Sequence, residues 1–378
     1  NRVIMAKEFI FGVAVSGENF IGREKEIHRL SSNFKNGINT ILSSPRRWGK
    51  TSLIKKVKAI VESDKLRVIY VDIFPCRSEY DFYNMFAEAV LKQTSSRFDE
   101  WKDIAYEFIS RLTPKFAFSV GPDSDYSVSL GITSKTHSAE EVLQLPERIA
   151  QKKGIQIVIC IDEFQQIGEF PDSVIVQKKM RSAWQHNSRV SYCLLGSRKH
   201  LMDELFQKRS LPFYKFGDII NLKLIPTEVW VPYICKQFKK VDRVISEELA
   251  AEICRIVENH SSYVQQLAWL TLLETEKVAT REGVARALNE LLDENTPLFT
   301  QQTELLTTYQ MNFLRAILAG IHKEFGIATV LSEYNLGSSS NISRLRKSMV
   351  EKELVEFRQE GYFIADPILK IWLERQKW

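Results

Sequence analysis

The sequence has little cysteine, and its cysteines follow no pattern. Five occur among 378 residues, with no Cys-x-x-Cys pair and no cysteine–histidine spacing typical of a zinc site. An odd, unpatterned set in a long chain argues against a disulfide framework and indicates reduced thiols. The positions are Cys76, Cys160, Cys193, Cys235 and Cys254.

Long apolar runs and an excess of one charge are also lacking. No stretch approaches the roughly 18 apolar residues that a membrane helix requires, and the N-terminus lacks the segments of a secretion signal. These absences predict a cytoplasmic protein with no membrane partner. The net charge of +5 permits a nucleic-acid partner without requiring one, because proteins that bind through phosphate contacts usually have a concentrated basic face.

What the sequence does contain is an alternation of apolar strand-like runs and helical periods in its first part. The composition, 44% hydrophobic and 26% charged, is that of a soluble globular protein, and the length predicts two or three domains. Strands separated by helices predict an α/β fold with a mainly parallel sheet. The predicted strands are residues 39–43, 66–74, 155–161, 190–195 and 219–224. Alternating residues around a turn-rich centre predict a surface β-hairpin insertion at about 114–135.

The strand pattern stops near Pro226. Residues 227–297 have helical periodicity, and the remainder reads as three short helices followed by a terminal hairpin. We therefore predict a core domain at 1–225, a helical lid domain at 226–300 and a winged helix-turn-helix domain at 301–378.

A phosphate-binding motif follows the first predicted strand. A P-loop has Gly, four residues, Gly-Lys and then Ser or Thr; here Gly49, Lys50 and Thr51 match, and Ser44 stands where the first glycine is expected. Backbone N–H groups at a helix N-terminus bind phosphate, the lysine meets the β and γ phosphates, and the hydroxyl binds Mg²⁺. A side chain at position 44 tolerates a positive φ poorly, so the effect of Ser44 on the loop is left open. The predicted ATP-binding residues are Ser44, Pro45, Arg46, Arg47, Trp48, Gly49, Lys50, Thr51 and Ser52.

An acidic strand end supplies the second half of the predicted site. The run at 157–161 delivers Asp162, a candidate Mg²⁺ ligand with Thr51, and then Glu163, a candidate base for the attacking water. Ser197 closes the neighbouring strand, where a polar side chain can sense the γ phosphate. Arg181 and Arg198 are candidates for transition-state charge, either within this chain or from a neighbouring copy. The predicted catalytic set is Glu163, Lys50, Ser197, Arg181 and Arg198.

Several separated segments carry a resemblance to a known family. They are residues 20–26 (FIGREKE), 45–53 (PRRWGKTSL), 161–165 (IDEFQ) and Gly196-Ser197. They resemble the archaeal and bacterial ATPase family within the STAND branch of P-loop NTPases, which are relatives of the AAA+ proteins. The resemblance implies that Phe20, Ile21, Gly22 and Arg23 lie against the adenine. It also implies a lid segment at residues 260–265 in which His260 contacts the nucleotide, although the proline usual after that position is missing.

The third helix of the predicted winged helix has two possible uses. In the first, it enters a DNA major groove with Asn341, Arg344, Arg346 and Lys347 facing the bases. In the second, the domain packs within the chain or binds a protein. Residues 301–378 contain ten Lys and Arg against nine Asp and Glu, which is little positive charge for strong phosphate binding. The run at 337–341, rich in serine, predicts side-chain capping of this helix.

These patterns together predict an ATP-dependent switch with slow hydrolysis. Binding of ATP and Mg²⁺ would control how the winged helix meets a DNA or protein partner, with self-association that depends on the nucleotide. Two alternatives stay open. One is a DNA-binding regulator in which the nucleotide only sets conformation, and the other is a P-loop scaffold with little hydrolysis.

Overall fold

The chain divides into two compact units in a computed structural model that describes residues 8–94, 117–120, 126–129, 139–358 and 361–376. One unit is Arg23–Lys223, and the other combines Asn1–Gly22 with Leu224–Trp378. The part of the predicted hairpin at 114–135 that the structure describes is a pair of antiparallel strands. The rest of that prediction lies outside the described residues.

The first unit contains a five-stranded sheet in which each adjacent pair of strands is parallel. The strands of this unit are β1 (Thr40–Ser43), β2 (Leu66–Asp72), β3 (Ala117–Val120), β4 (Tyr126–Ser129), β5 (Gln156–Asp162), β6 (Val190–Gly196) and β7 (Asp218–Asn221). The order in the sheet is β2-β5-β6-β1-β7, and β3 pairs only with β4. The predicted α/β class with a parallel sheet is thus confirmed.

Helices connect these strands and cover the sheet. They are α1 (Glu24–Lys35), α2 (Lys50–Val61), α3 (Glu79–Thr94), α4 (Ala139–Lys153), α5 (Ser173–Trp184) and α6 (Lys199–Gln207), with a 3-10 helix at Phe164–Glu169. Every residue of β1 and β6 is buried, which explains why these strands are continuous apolar runs rather than alternating ones. The central strands are thereby fixed from both faces.

The register of the parallel strands brings their carboxyl ends to one edge. Ser43 at the end of β1 pairs with Gly196 at the end of β6, and Asp72 at the end of β2 pairs with Asp162 at the end of β5. Loops leaving these four strands therefore begin side by side, which is where ligands bind in open α/β sheets.

The second unit is helical and closes with a winged helix. Its helices are α7 (Thr227–Lys239), α8 (Glu247–Ile256), α9 (Ser261–Leu273), α10 (Arg281–Glu304), α11 (Thr308–Leu318), α12 (Ala328–Glu333), α13 (Ser339–Glu351) and α14 (Pro367–Arg375), with strands β8 (Val355–Arg358) and β9 (Gly361–Ile364). One hydrophobic core runs through the helical part and the winged helix. The predicted domain boundary at residue 300 falls inside α10 and stays a prediction.

Two local features of this unit concern the N-terminal segment and the start of α13. The N-terminal segment packs on the helices, with the Phe9 ring edge-on to Tyr233 at 6.0 Å and to Phe238 at 6.2 Å. The serine-rich run does not cap α13 by a side chain: Ser338 is the N-cap residue and makes no such bond, and its hydroxyl lies 2.8 Å from that of Ser340 instead. The capping prediction was wrong because the two hydroxyls bond to each other.

Among the described residues, no helix combines the length and the apolar character that crossing a membrane requires.

We predict that Gly217→Ala destabilises the first unit. A Cβ at position 217, directly before β7, would overlap the carbonyl oxygen of Asn39 and lie 2.9 Å from its Cβ. Asn39 is held in place because it accepts hydrogen bonds from Asp218 N and Tyr192 N. The expected loss is about 1–3 kcal/mol of unfolding free energy, as for other overpacked sites, measured by urea denaturation. Gly168→Ala is the matched control, because the nearest atom to its added Cβ is Leu205 Cδ2 at 3.9 Å. Equal stability of the two variants would contradict the prediction.

Candidate functional site

The loop between β1 and α2 forms a turn that ends at a helix N-terminus. Arg47 has a φ of 64° and Gly49 a φ of 93°, both in the left-handed region. Gly49 directly precedes α2, and its carbonyl accepts a hydrogen bond from Leu53 N at 2.9 Å. A left-handed turn followed by a helix start aims backbone N–H groups into one concavity, which suits a phosphate group.

Ser44 does not strain this loop. The residues of positive φ in the loop are Arg47 and Gly49, and Ser44 is not among them, so its Cβ meets no left-handed backbone. Its side chain is buried, its N–H donates to Gly196 O at 3.3 Å, and its hydroxyl donates to Pro45 O at 3.2 Å. Ser44 therefore joins the start of the loop to the end of β6.

Arg23 supports the loop by hydrogen bonds to the backbone. It is buried, and its Nη2 donates to the carbonyl of Trp48 at 3.1 Å. Its Nη1 donates to the carbonyl of Lys223 and lies 3.4 Å from Glu26 Oε1. Its guanidinium is thus engaged with the phosphate loop, and the contact with the adenine that the resemblance implies stays a prediction.

Lys50 and Thr51 begin α2 beside the acidic end of β5. Burial lowers the pKa of Lys50, and the negative charges of Asp162 and Glu163 oppose that shift. Thr51 Oγ1 donates to Asp162 Oδ2 at 3.3 Å, and the hydroxyl of Tyr70 donates to the same oxygen. A hydroxyl and a carboxylate at this distance are a hard-oxygen pair of the kind that Mg²⁺ prefers. Ser52, the next residue of α2, is buried.

Glu163 is held by two side chains from different elements. Its Oε2 accepts a hydrogen bond from Ser197 Oγ at 2.6 Å and another from Gln165 Nε2. Burial alone would raise the pKa of Glu163, but these hydrogen bonds and the positive charges of Lys50 and Arg46 outweigh it and lower the pKa. The carboxylate is therefore kept ionised and oriented at the edge of the sheet.

The two candidate arginines differ in position. Arg198 directly follows Ser197, and its Nη1 donates to Glu169 Oε1 at 2.9 Å. The guanidinium of Arg181 lies over the Phe216 ring, 4.9 Å from its centroid. Phe216 comes just before β7 begins, at the edge where the amino ends of the strands meet. The structure thus keeps Arg181 away from the phosphate loop of its own chain, and a role toward a neighbouring copy stays a prediction.

Four predicted nucleotide-binding residues belong to the second unit. Phe20 N donates to Gly17 O at 3.3 Å, and Ile21 packs against the core of this unit. Gly22 has a φ of 63°, and a Cβ there would lie 3.4 Å from Ile225 Cγ2. His260 directly precedes α9, with its ring centroid 4.7 Å from that of Tyr263. Their contact with a nucleotide remains a prediction.

The segment around His260 is bonded to the winged helix. Glu258 accepts hydrogen bonds from Arg358 Nη2 at 3.0 Å and from Lys370 Nζ at 2.9 Å. The hydroxyl of Tyr263 donates a hydrogen bond to Asp366 Oδ2 at 2.6 Å. Burial would raise the pKa of Glu258, but Lys370 and Arg358 outweigh it and lower the pKa. Residues 258–263 are therefore a junction between the helical part and the winged helix.

Half of the predicted DNA-facing side chains of α13 are engaged within the chain. Asn341 Nδ2 donates to Leu336 O at 3.1 Å, and the guanidinium of Arg346 lies 5.1 Å from the Tyr362 ring centroid. Arg344 and Lys347 are exposed, and Lys347 Nζ is 3.8 Å from Glu351 Oε1. Helical spacing shows which residues share a face but not what packs on it, and the contact of these four residues with DNA stays a prediction.

The sequence patterns missed three residues of this site. Tyr70 bonds to Asp162, and Asp72 is its backbone neighbour, because β2 lies beside β5, an order that no local pattern reveals. Burial raises the pKa of Asp72, with Asp162 and Glu163 adding to the shift. Gln165 lies two residues after Glu163 within the segment IDEFQ, so its proximity was a signal that could have been used.

Comparisons with known proteins follow the same division of the chain. A family model described as an ATPase domain predominantly from Archaea matches residues 20–267, and one described as a probable winged helix domain matches residues 297–375. A search among curated proteins finds no match.

Solved structures with low sequence identity share the fold. The Walker-type ATPase paby2304 of Pyrococcus abyssi is 17% identical with a TM-score of 0.69, over 97% of this chain and 100% of that one. The ORC2 protein of Aeropyrum pernix, in ADPNP–ADP complexes, is 15% identical with a TM-score of 0.58, over 95% of this chain and 96% of that one. At such identities the likeness concerns the fold alone.

We predict that Glu258→Gln weakens the second unit in a pH-dependent way. The variant loses the charge on a partly buried carboxylate that accepts from two cations, and we expect a loss of about 1–2 kcal/mol of unfolding free energy near neutral pH. Because the pKa of Glu258 is lower in the folded state, this contribution is complete above the unfolded-state pKa and disappears as pH falls through the folded-state pKa.

The measurement is denaturant unfolding of both proteins from pH 7 down to pH 3. Glu252→Gln is the control, since Glu252 pairs with Arg281, an exposed residue, at 3.3 Å, and such surface pairs contribute little. A Glu258→Gln loss that stays constant down to pH 3 would show that the charge is not its cause.

Proposed function

Because this chain belongs to the family of ATPase domains found predominantly in Archaea and carries a winged helix domain, we propose that it is an ATP-hydrolysing molecular switch of the STAND type. Nucleotide state would control how the winged helix is presented to a partner. The observation that carries the proposal is the meeting of Lys50, Thr51, Asp162, Glu163 and Ser197 at one edge of the sheet.

The residues of the loop fit a nucleoside triphosphate. The backbone N–H groups from Arg47 to Thr51 would surround the phosphates, and Lys50 would supply positive charge to the β and γ phosphates. Thr51 and Asp162 would hold a Mg²⁺ ion, which when bound neutralises the charge on the phosphate oxygens. Adenine-nucleotide complexes of the similarly folded ORC2 protein of Aeropyrum pernix support this choice of ligand.

The hydrolytic role falls to Glu163. An ionised carboxylate within hydrogen-bond reach of a water can orient it and accept its proton. Ser197 donates to one carboxylate oxygen of Glu163, so a change at the γ phosphate that moves Ser197 also moves Glu163. This link between Ser197 and Glu163 favours slow hydrolysis that depends on the state of the bound nucleotide, rather than rapid turnover.

The junction at residues 258–263 supports a switch in which the position of the winged helix depends on the conformation of the lid domain at 226–300. His260 lies in this junction between Glu258 and Tyr263, which bond to Arg358, Lys370 and Asp366 of the winged helix. If His260 contacts the nucleotide as the resemblance implies, a displacement of His260 also moves Glu258 and Tyr263, which bond to the winged helix. Nucleotide-dependent self-association fits the same scheme.

DNA binding is the second candidate for the winged helix. Arg344 and Lys347 are exposed on α13 and favour it, whereas Arg346 and Arg358 are stacked or paired within the chain. We infer that the wing, which is the hairpin of β8 and β9, contacts the chain's own helical part, and that Arg344 and Lys347 are the residues of α13 that would contact DNA.

We predict that Lys50→Ala abolishes binding of Mg-ATP, because a buried cation that meets the phosphates is lost. Glu163→Gln should keep the affinity and lower kcat by about 10²–10⁴-fold, the usual contribution of a positioned base. Isothermal titration calorimetry and phosphate release measure the two effects, and Lys56→Ala, an exposed lysine of the same helix, is the control. A wild-type protein that neither binds nor hydrolyses ATP would refute the proposed function, and unchanged turnover in Glu163→Gln would remove Glu163 from its role.

We predict that the double variant Arg344→Ala, Lys347→Ala removes the affinity of the full-length chain for duplex DNA at low salt. Two phosphate contacts give a slope of about −1.8 for log K against log salt, which fluorescence anisotropy can measure. Lys277→Ala, exposed in the same unit, should leave that slope unchanged. A wild-type slope of about −5 or steeper would mean that a larger basic surface binds DNA.

A further inference from the structure

Gln165 is a buried amide in a place where packing calls for an apolar side chain. It lies in the 3-10 helix Phe164–Glu169, between Phe164 and Ile167, which are both fully buried. Its own side chain is 4% exposed. Its Nε2 donates to Glu163 Oε2, whereas its Oε1 is buried and has no hydrogen-bond partner among the residues that the structure describes.

A half-satisfied buried amide lowers stability, because its carbonyl loses water and gains no donor. An apolar side chain of the same length would fill this space without that cost. Reversing the amide would not help, since it would turn Oε1 toward the ionised carboxylate of Glu163. The contact from Nε2 to Glu163 is therefore the one favourable polar interaction that the structure gives this amide.

The end of β6 leaves room for this amide. A Cβ added at Gly196 would overlap Met202 Sδ and lie 2.6 Å from Gln165 Oε1. Gly196 does not have a positive φ, so its lack of a side chain matters for space and not for backbone conformation. The missing side chain of Gly196 thus leaves space for the Gln165 amide. Ser197, the residue after Gly196, donates to Glu163 Oε2 at 2.6 Å, the oxygen that Gln165 also contacts.

Both donors meet Oε2 of Glu163, and they come from different elements. Ser197 approaches from the end of β6 and Gln165 from the 3-10 helix that follows Glu163. Two bonds to one oxygen fix the direction of the carboxylate and leave the other oxygen outside this pair of contacts. A single donor would let the group rotate about its hydrogen bond.

We propose that Gln165 is a positioning residue for hydrolysis: together with Ser197 it holds Oε2 of Glu163, so that Oε1 is directed at the attacking water. This inference rests on the proposed function and assigns Gln165 no contact with the nucleotide. It acts through Glu163 alone.

The test uses Gln165→Met in the full-length chain, which removes the donor but keeps the length of the side chain. We expect kcat for Mg-ATP hydrolysis to fall about 10–100-fold, since small displacements of a catalytic group have effects of this order. The Kd for Mg-ATP should stay within about twofold of wild type. The Tm should equal that of wild type or lie about 2–4 °C above it, because the variant has no unsatisfied amide at this position.

Gln166→Ala is the matched control. Gln166 is the next residue of the same 3-10 helix, and it is half-buried and bonds to Glu169 at 3.1 Å. Its removal should leave kcat, Kd and Tm close to wild type. A fall of kcat in Gln166→Ala as large as in Gln165→Met would show that the helix, and not the Gln165 amide, matters.

A second comparison separates positioning from a structural role. In a Glu163→Gln background, Gln165→Met should have no further effect on single-turnover hydrolysis, because residues that act as a unit are not additive. A further loss there, a lowered Tm, an unchanged kcat or a raised kcat would each overturn the proposal. If the wild-type protein hydrolyses no ATP, the proposed function fails first. An active wild type with an unaffected Gln165→Met refutes only this inference.

Discussion

The parallel pairing of β6 with both β1 and β5 is the constraint on which the candidate site depends. It aligns Ser43 with Gly196 and Ile161 with Leu194, so the phosphate loop, Ser197 and the acidic end of β5 leave the sheet side by side. These three segments are far apart in the sequence. A slip of one residue in any of the three strands would turn the side chains that follow it to the other face of the sheet.

Burial at this edge makes the charges depend on one another. Lys50 is buried beside Asp162 and Glu163, and an isolated buried ion costs several kcal/mol. Opposite charge and hydrogen bonds offset that cost here: Thr51 and Tyr70 donate to Asp162, while Ser197 and Gln165 donate to Glu163. The carboxylate of Glu163 is thereby kept ionised beside the positive charges of Lys50 and Arg46.

Local patterns in the sequence predict what is set locally. The apolar runs that became β5 and β6, the helix from Ala139 to Lys153 and the loop motif ending in Thr51 all depend on residues close in sequence, and the parallel α/β class follows from their alternation. The order of the strands in the sheet does not depend on residues close in sequence, so local patterns do not predict the contact between Tyr70 and Asp162. The same limit explains Arg346: its position on α13 follows from helical spacing, but the aromatic ring of Tyr362 that it covers comes from the wing.

The second unit shows a similar use of charge between segments that are distant in sequence. Glu258 and Asn259 have φ values of 48° and 57°, so the chain turns sharply at this point and presents the Glu258 carboxylate to Arg358 and Lys370. Because Arg358 is the basic residue of β8, this pairing withdraws from the wing the charge that a DNA backbone would require. The pairing therefore bonds β8 and α14 of the winged helix to the segment that precedes α9.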